Sequence, residues 1–325
     1  MLKTGIIGLG KVGKKRAEII RGQKEYELIA TCDTEPSAEA DYANYKHMLE
    51  DEKDINCVFV CVPHTLTKDI VIDCLDRGLN VFAEKPPGCS LSDTIQLKEA
   101  IERNPKCKLL FGFNHRYHQH IQKALQIIKS GALGKIMWMR GHYGKVQLEK
   151  WRQTKELAGR GILLSQGIHM VDLFRYLADT EFEEVHAFTS HFWKKWFEDN
   201  VFMIMRSNKG IVGSIHSSCV LGMNRFEIFL GMTKGYVHID NIITSTRSFG
   251  FPEKTSVAAL KNTKFYGNPK VEVNFFGIDP SWEIEIINFA DIVLKDKKKY
   301  PCSIDDAIEV MKILDKVYED EKIPV

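Results

Sequence analysis

The tightest constraint in this sequence is Gly8-Leu9-Gly10-Lys11-Val12-Gly13, because of what stands on either side of it. Before it runs a short apolar stretch, residues 2–8 (LKTGIIG), which reads as a buried strand. After it comes a helix-like segment, residues 12–21, with Val12, Ala17 and Ile20 at its apolar positions. A second apolar run, residues 27–32, ends in Asp33, about 20 residues beyond Gly13. Strand, glycines, helix, strand and acid in that order predict a βαβ unit that binds a dinucleotide. Gly8 permits the tight turn, Gly10 lets the backbone approach a pyrophosphate, and Gly13 lets helix and strand pack closely. The N-terminus of the helix offers its N–H groups to the phosphates. Asp33 is placed to accept hydrogen bonds from the adenosine ribose diol. Its neighbours Thr34, Glu35 and Pro36 bring no cation for a 2′-phosphate, so NAD is favoured over NADP.

The alternation continues past Asp33. Residues 56–62 (NCVFVCV) read as a buried strand, and residues 65–77 as a helix with Leu66, Ile70, Val71 and Leu75 inward and Gly78 as its C-cap. Asn80–Ala83 is a further strand, residues 91–102 a helix and residues 108–113 a strand. Together they predict a doubly wound parallel sheet, a Rossmann-type α/β domain, over residues 1–117. The strand at Asn80–Ala83 runs into Glu84-Lys85-Pro86-Pro87. A buried parallel strand tolerates no charge, so Glu84 and Lys85 belong at its carboxyl end, where open α/β sheets bind their ligands. Pro86 biases Lys85 away from helical backbone and so fixes how the lysine is presented. Val62, Pro63 and His64 close the 56–62 strand and fall near the nicotinamide end of the cofactor, with no catalytic role assigned to His64. Glu84 and Lys85 join them in the predicted cofactor crevice.

Composition narrows the partners. A length of 325 residues suggests two domains, and a net charge of +2 makes no electrostatic case for nucleic acid or an anionic membrane. The lysine-rich run at residues 295–299 reads as a solvated loop between helices, and no apolar run reaches the roughly 20 residues of a membrane span. The N-terminus enters a strand directly without a leader-like stretch, so a cytoplasmic protein is expected. Eight cysteines without a CxxC pair read as free buried thiols, and no metal site is expected.

Beyond about residue 119 the pattern changes. A helix at residues 119–130 precedes Gly131 and Gly134, followed by apolar runs at residues 136–143, 185–192, 201–205, 211–217, 226–230 and 236–239. Short turns such as Ser207-Asn208-Lys209-Gly210 indicate antiparallel pairing. Residues 118–325 are therefore expected to form an α+β domain with a large open, mainly antiparallel sheet, for substrate binding and oligomerisation. Helices at residues 282–294 and 304–318 close the chain, while residues 241–276 are poorly patterned and read as loops and irregular strands. Within this half, residues 163–177 read as a helix of unusual polarity. At roughly 100° per residue, Ser165, His169, Asp172 and Tyr176 share one stripe, opposite Met170, Leu173, Phe174 and Leu177.

With Gly8-x-Gly10-x-x-Gly13, Glu84-Lys85-Pro86, Asn114-x-Arg116 and Gly167-x-His169-x-x-Asp172 in this order, the chain resembles the glucose–fructose oxidoreductase and inositol dehydrogenase (Gfo/Idh/MocA) family over nearly its whole length. The resemblance implies an N-terminal Rossmann domain and a C-terminal α/β domain whose open sheet joins subunits into a homodimer or homotetramer. It implies reversible oxidation of a secondary alcohol by NAD, with Lys85 and His169 as the catalytic pair. His169 would act as the base and Lys85 would hydrogen-bond the reacting oxygen, with Glu84 helping to set its position. Asn114, Arg116, Tyr143, Arg152, Ser165 and Asp172 are the supporting or substrate-binding candidates. The segment carrying Tyr143, Trp151-Arg152 and Gly159-x-Gly161, and Glu198-Asp199-Asn200-x-Phe202, looks like the branches that handle nucleotide sugars and surface polysaccharides. A sugar or nucleotide sugar is the small-molecule substrate so implied, with an inositol or free-sugar dehydrogenase, or an inactive NAD-binding regulator, as alternatives. One departure stands out: the family often places an Asp four residues before the motif histidine, and this chain has Ser165. Arg16 also stands where a His is common after the glycine loop.

Overall fold

The computed structural model describes residues 1–146, 150–244, 249–260 and 269–320. They cluster in two compact units: Met1–Phe113 with Glu156–Gly159 and Trp282–Met311, and Asn114–Lys155 with Arg160–Ser281 and Lys312–Val325. The helices are α1 (Lys11–Arg21), α2 (Tyr45–Asp51), α3 (His64–Asp76), α4 (Leu91–Arg103), α5 (Gln119–Lys129), α6 (Lys155–Ala158), α7 (Ile168–Ala178), α8 (Ser281–Leu294) and α9 (Ile304–Asp320).

In the first unit, β1 (Leu2–Ile7), β2 (Tyr26–Cys32), β3 (Cys57–Val60), β4 (Asn80–Ala83) and β5 (Leu109–Phe111) form a parallel sheet in the order β2-β1-β3-β4-β5. This is the doubly wound arrangement expected from the alternating strands and helices. Every residue of β3 is buried, which is why the strand reads as a continuous apolar run without alternation. Phe59 and Phe82 stack with ring centroids 4.9 Å apart, and Phe289 of α8 meets both edge-on at 5.7 and 5.6 Å. A division at residue 117 leaves out this late helix, which supplies core to the first unit. Two local readings change. Helix α2, too short to show a period, is capped by Asn44, whose side chain accepts from the Lys46 N–H. Leu66, expected inward, is exposed, and Thr67, Val71, Cys74 and Leu75 form the buried face of α3.

In the second unit, β6 (Ile136–Gly144), β7 (Phe182–Ser190), β8 (Asn200–Ser207), β9 (Val212–Ser218), β10 (Arg225–Met232), β11 (Gly235–Ile242), β12 (Phe249–Ala259) and β13 (Glu272–Phe276) form one sheet. Its order is β13-β12-β11-β10-β6-β9-β8-β7, antiparallel except for the β6–β9 pair. The turn at residues 207–210 joins β8 to β9 as expected, with Gly210 at φ +78°. Helices α5 and α7 pack on the sheet. Strand β8 alternates strictly: Val201, Met203 and Met205 are buried, Phe202 and Ile204 exposed.

The stretch read as loops and irregular strands contains β12, an 11-residue strand, and β13; residues 245–248 and 261–268 lie outside the described residues. Its alternation was hidden because the inward positions carry Glu253 and Thr255, both fully buried. No helix among the described residues is long and apolar enough to cross a membrane. None of the eight cysteines is in a disulfide, and six of them are buried.

Candidate active site

The glycine loop is built by steric necessity at two of its three glycines. Gly8 sits at φ +94°, and a Cβ there would lie 2.4 Å from the Cys61 carbonyl oxygen. A Cβ on Gly13 would lie 1.8 Å from the Gly8 carbonyl oxygen, so α1 could not approach β1 with any larger residue. Around Gly10 a Cβ would meet only open space. Gly10 is also the N-cap of α1, with no side-chain cap and no acidic residue in the first turn, so the helix start presents its N–H groups outward. Leu9 is buried, Val12 half-buried and Lys11 exposed. Asp33, past the end of β2, accepts from the Leu9 N–H at 2.5 Å with one oxygen and from the Glu35 N–H at 2.9 Å with the other. That ties Asp33 to the glycine loop, and these residues fit NAD.

Val62 and Pro63, which follow β3, are half-buried. His64 is buried at the start of α3 with Nδ1 3.1 Å from the Ala158 carbonyl oxygen. Glu84 and Lys85 follow β4, both half-buried, and the Lys85–Pro86 peptide is cis. The Glu84 carboxylate is held by Arg16, whose Nε and Nη2 donate to its Oε1 at 3.0 and 2.7 Å. Arg16 Nη2 also donates to Glu285 at 2.6 Å, and the guanidinium lies between the rings of Phe82 and Trp282 at 4.4 and 4.5 Å. Burial opposes this charge, but the two carboxylates outweigh it and raise the Arg16 pKa further. Sequence reasoning gave Arg16 little consequence. The signal was present in a charge on the same face of α1 as Gly13, Ala17 and Ile20, all of which are buried.

The second unit gathers the remaining candidates. A short 3₁₀ turn, Asn114–Tyr117, buries Asn114, His115 and Arg116. Arg116 pairs in bidentate fashion with Asp172 of α7, Nε to Oδ2 at 2.8 Å, and lies over the Tyr176 ring at 4.9 Å. Both charges are buried, so the pair anchors the turn to the helix.

His169, 3% exposed, lies on the same helix, its ring stacked on that of His115 at 3.7 Å and 5°. Tyr143 of β6 brings its hydroxyl to 3.1 Å from His115 Nε2. The helix does not begin as an α-helix: Leu163–Gly167 is a π turn, so the stripe at roughly 100° per residue applies only from Ile168 onward, and Ser165 sits on the widened turn. Ser165 is 1% exposed, and Arg152 brings Nη1 to 3.5 Å from its carbonyl oxygen. A Cβ on Gly167 would lie 2.8 Å from Leu163 Cδ1 and 3.1 Å from Ser217 Oγ, so the turn packs directly on β9.

Glu198 supplies what the motif Glu198-Asp199-Asn200 alone did not reveal. Its buried carboxylate accepts from the Gly161 and Leu163 N–H groups at 2.9 and 3.1 Å and from the Tyr318 hydroxyl at 3.0 Å, fixing the chain where the π turn begins. Burial raises its carboxyl pKa against those bonds.

Behind the stack, His118 Nδ1 donates to Glu253 Oε1 at 2.6 Å, which also accepts from the Ile243 N–H at 2.8 Å. His120 Nδ1 lies 2.9 Å from Glu253 Oε2. Burial would raise the Glu253 carboxyl, but the two imidazoles hold it down at about 2. Burial lowers the His120 pKa and so favours the neutral imidazole beside this carboxylate. These three side chains, and Glu227, His238 and Asp240, are groups whose ligand atoms converge closely enough to hold a cation.

Residues 2–113 match the oxidoreductase family with an NAD-binding Rossmann fold, and residues 121–238 match the GFO/IDH/MocA C-terminal domain. The chain is similar to an uncharacterized oxidoreductase, YrbE, of Bacillus subtilis, with 25% identity over 336 residues, 95% of this chain and 91% of that one. It is similar to myo-inositol 2-dehydrogenase of Thermotoga maritima, with 27% identity over 265 residues, 75% of this chain and 77% of that one. Among solved structures, an aldose-aldose oxidoreductase from Caulobacter crescentus shares the fold with a TM-score of 0.84 at 19% identity, over 99% of this chain and 97% of that one. Levoglucosan dehydrogenase in complex with NADH does so with a TM-score of 0.84 at 21% identity, again over 99% and 97%. Both halves of the sequence are thus matched in order, and the chain belongs to the GFO/IDH/MocA family of oxidoreductases, with NAD as its cofactor.

Proposed function

We propose that this protein is a dehydrogenase that reversibly oxidises a secondary hydroxyl of a sugar or nucleotide sugar to the ketone. NAD, when bound, supplies the hydride acceptor. The hydroxyl proton passes to the imidazole of His169, a group type whose ordinary titration near roughly 6.5 suits a base at neutral pH. Lys85 donates a hydrogen bond to the same oxygen and offsets the negative charge that develops on it. Glu84, fixed by Arg16, holds the end of β4, while Asp172 and Arg116 hold the helix that carries His169. The observation that carries the reading is His169 itself: a buried imidazole, stacked in a polar cluster on a helix opened by a π turn, in a chain whose other half binds NAD.

The nucleotide-sugar reading is supported by Trp151-Arg152 and by the Glu198-Asp199-Asn200 segment. A guanidinium is suited to a diphosphate, and Arg152 is half-buried close to Ser165. The likeness to myo-inositol 2-dehydrogenase supports a second reading, a cyclitol or free sugar. The exposed apolar residues Phe188, Phe202 and Ile204 on adjacent strands β7 and β8 support assembly into a homodimer or homotetramer through that face.

Incubation with a panel of nucleotide sugars, cyclitols and free aldoses, followed by NADH absorbance, tests the reading. A nucleotide sugar should be turned over, with Lys85→Ala and His169→Ala each losing about 100-fold or more in kcat. Lys85→Ala should keep its affinity for NADH within about threefold, since the phosphate loop is intact. Turnover of cyclitols alone selects the second reading. Silence across the panel, with NADH bound, overturns both in favour of an NAD-binding regulator.

A further inference from the structure

We propose that His115 is a positioning residue for His169: a neutral imidazole that holds the base in plane and faces the cation formed when the base takes its proton. This rests on the dehydrogenase reading of His169 given above.

The hydrogen bonds around His115 assign its tautomer. Asn114 Nδ2 donates to Ser281 Oγ at 3.2 Å, which turns Asn114 Oδ1 toward His115 Nδ1 at 3.0 Å. An amide oxygen only accepts, so Nδ1 carries the proton. In the neutral ring Nε2 then keeps a lone pair, and the Tyr143 hydroxyl, 3.1 Å away, is placed to donate to it. Tyr143 is itself held edge-on by Phe226 and Phe249, with centroids 5.3 and 5.4 Å away. Both nitrogens of His115 are therefore occupied in its neutral form, and the ring has no freedom to turn.

Against this fixed ring, His169 stacks at 3.7 Å and 5°. A stack that close restricts rotation about the last side-chain bond of His169, and so the direction in which its nitrogens point. It also responds to charge. When His169 accepts the hydroxyl proton it becomes an imidazolium, and the π face of a neutral imidazole attracts a cation at this distance. A second imidazolium would repel it, so the neutral state of His115 is what the geometry requires. His115 neither gains nor loses a proton in the step; the proton moves from the substrate oxygen to His169. Ser165, one turn earlier, offers no carboxylate for that charge. Among the described residues, groups of this unit near the stack include Tyr143, His118 with Glu253 behind it, the Arg116–Asp172 pair, and Arg152 beside Ser165.

The test uses the full-length protein labelled at histidine Cε1, with His169→Gln to assign the His169 signal by its disappearance. In the wild type, the His169 Cε1 proton should lie upfield from the ring current of its neighbour. His115→Leu removes the ring: the signal should move downfield, and kcat should fall about tenfold while KM stays within about twofold. His115→Phe keeps a flat neutral ring and should retain the upfield position and most of kcat. Tyr143→Phe, which removes one hydroxyl, is a milder variant should His115→Leu fail to fold; it should shift the signal part-way and lower kcat about threefold. An active wild type whose His115→Leu or Tyr143→Phe form keeps both the His169 signal and kcat overturns the proposal. A wild type inactive on every substrate overturns the dehydrogenase reading instead. In that case an unmoved His169 signal in His115→Leu overturns the stacking role as well, and a moved one upholds it.

Discussion

The two sheets are made from much the same apolar residues and use them in opposite ways. In the parallel sheet, Phe59 and Phe82 are buried on neighbouring strands and stack on each other inside the first unit. In the eight-stranded sheet, Val201, Met203 and Met205 are buried while Phe202, between them, is 53% exposed and stacks on His216 of β9 at 3.8 Å. A continuous apolar run thus marks a strand covered on both faces. An apolar residue at every position of an alternating strand marks a second face that carries hydrophobic surface into solvent or onto a partner.

The largest effect that tests this contrast comes from truncating the same residue type in both sheets. Phe82→Ala should cost about 3–5 kcal/mol in urea unfolding, since it opens a cavity under Phe59 and Phe289 and removes one face of the Arg16 sandwich. Phe202→Ser should change the unfolding free energy of the monomer by no more than about 0.5 kcal/mol. Light scattering should instead show it dissociating an assembly that the wild type forms. Equal losses of stability in the two variants would break the contrast, and a wild type that is monomeric at micromolar concentration would remove the oligomer from it.

The same contrast explains how much could be read without coordinates. The five strands of the first unit were legible because each is a short apolar run closed by a glycine, a charge or a proline, and their alternation with helices marks a doubly wound sheet. The glycine loop and Asp33 were legible because their spacing has a steric cause. Arg16 was not, since its partners Glu84 and Glu285 lie 68 and 269 residues away. The same distance hid the contribution of α8 to the first core. In the second unit, β12 could be read only as irregular because Glu253 and Thr255 occupy its inward positions, where His118 and the His120 carbonyl, 135 residues earlier, help to make those polar residues acceptable. The placing of His169 on a helix could be read from spacing, but the π turn before it and the His115 stack depend on contacts that no local pattern encodes.

That buried carboxylate gives the next effect in size. Glu253 has its pKa lowered to about 2 in the fold, against about 4.3 for an unfolded glutamate. A depressed carboxyl stabilises the fold above the unfolded value and loses that contribution as pH falls toward the folded one. The advantage of the wild type over Glu253→Gln should therefore be constant from neutral pH to about pH 5 and shrink steadily below about pH 4.5. His120, lowered by burial, adds a loss in the same direction that begins below about pH 6.5, as the unfolded imidazole takes up a proton. Urea titrations across that range test the pair. A stability gap between wild type and Glu253→Gln that stays flat down to pH 3 would show that the carboxylate is not held ionised by its imidazoles.

The smallest effect concerns Ser165, four residues before His169. With His169 as base, a carboxylate one turn earlier would stabilise the imidazolium and raise its pKa. Ser165→Asp should then move the acid limb of kcat/KM upward, by about one pH unit at most. Two features of this structure reduce that displacement. Position 165 lies on a π turn, so its side chain does not project along the same helical stripe as His169. Arg152 also stands 3.5 Å from the Ser165 carbonyl oxygen, close enough to pair with a new carboxylate and draw it away. The double variant Ser165→Asp with Arg152→Gln should therefore show the larger displacement of the two. The order of the two variants separates the explanations. If the double variant moves further, the guanidinium competes for the carboxylate. If neither moves, the π turn holds position 165 away from His169 in both variants. An acid limb that rises by the whole of that amount in the single variant would mean instead that the π turn leaves position 165 facing the base.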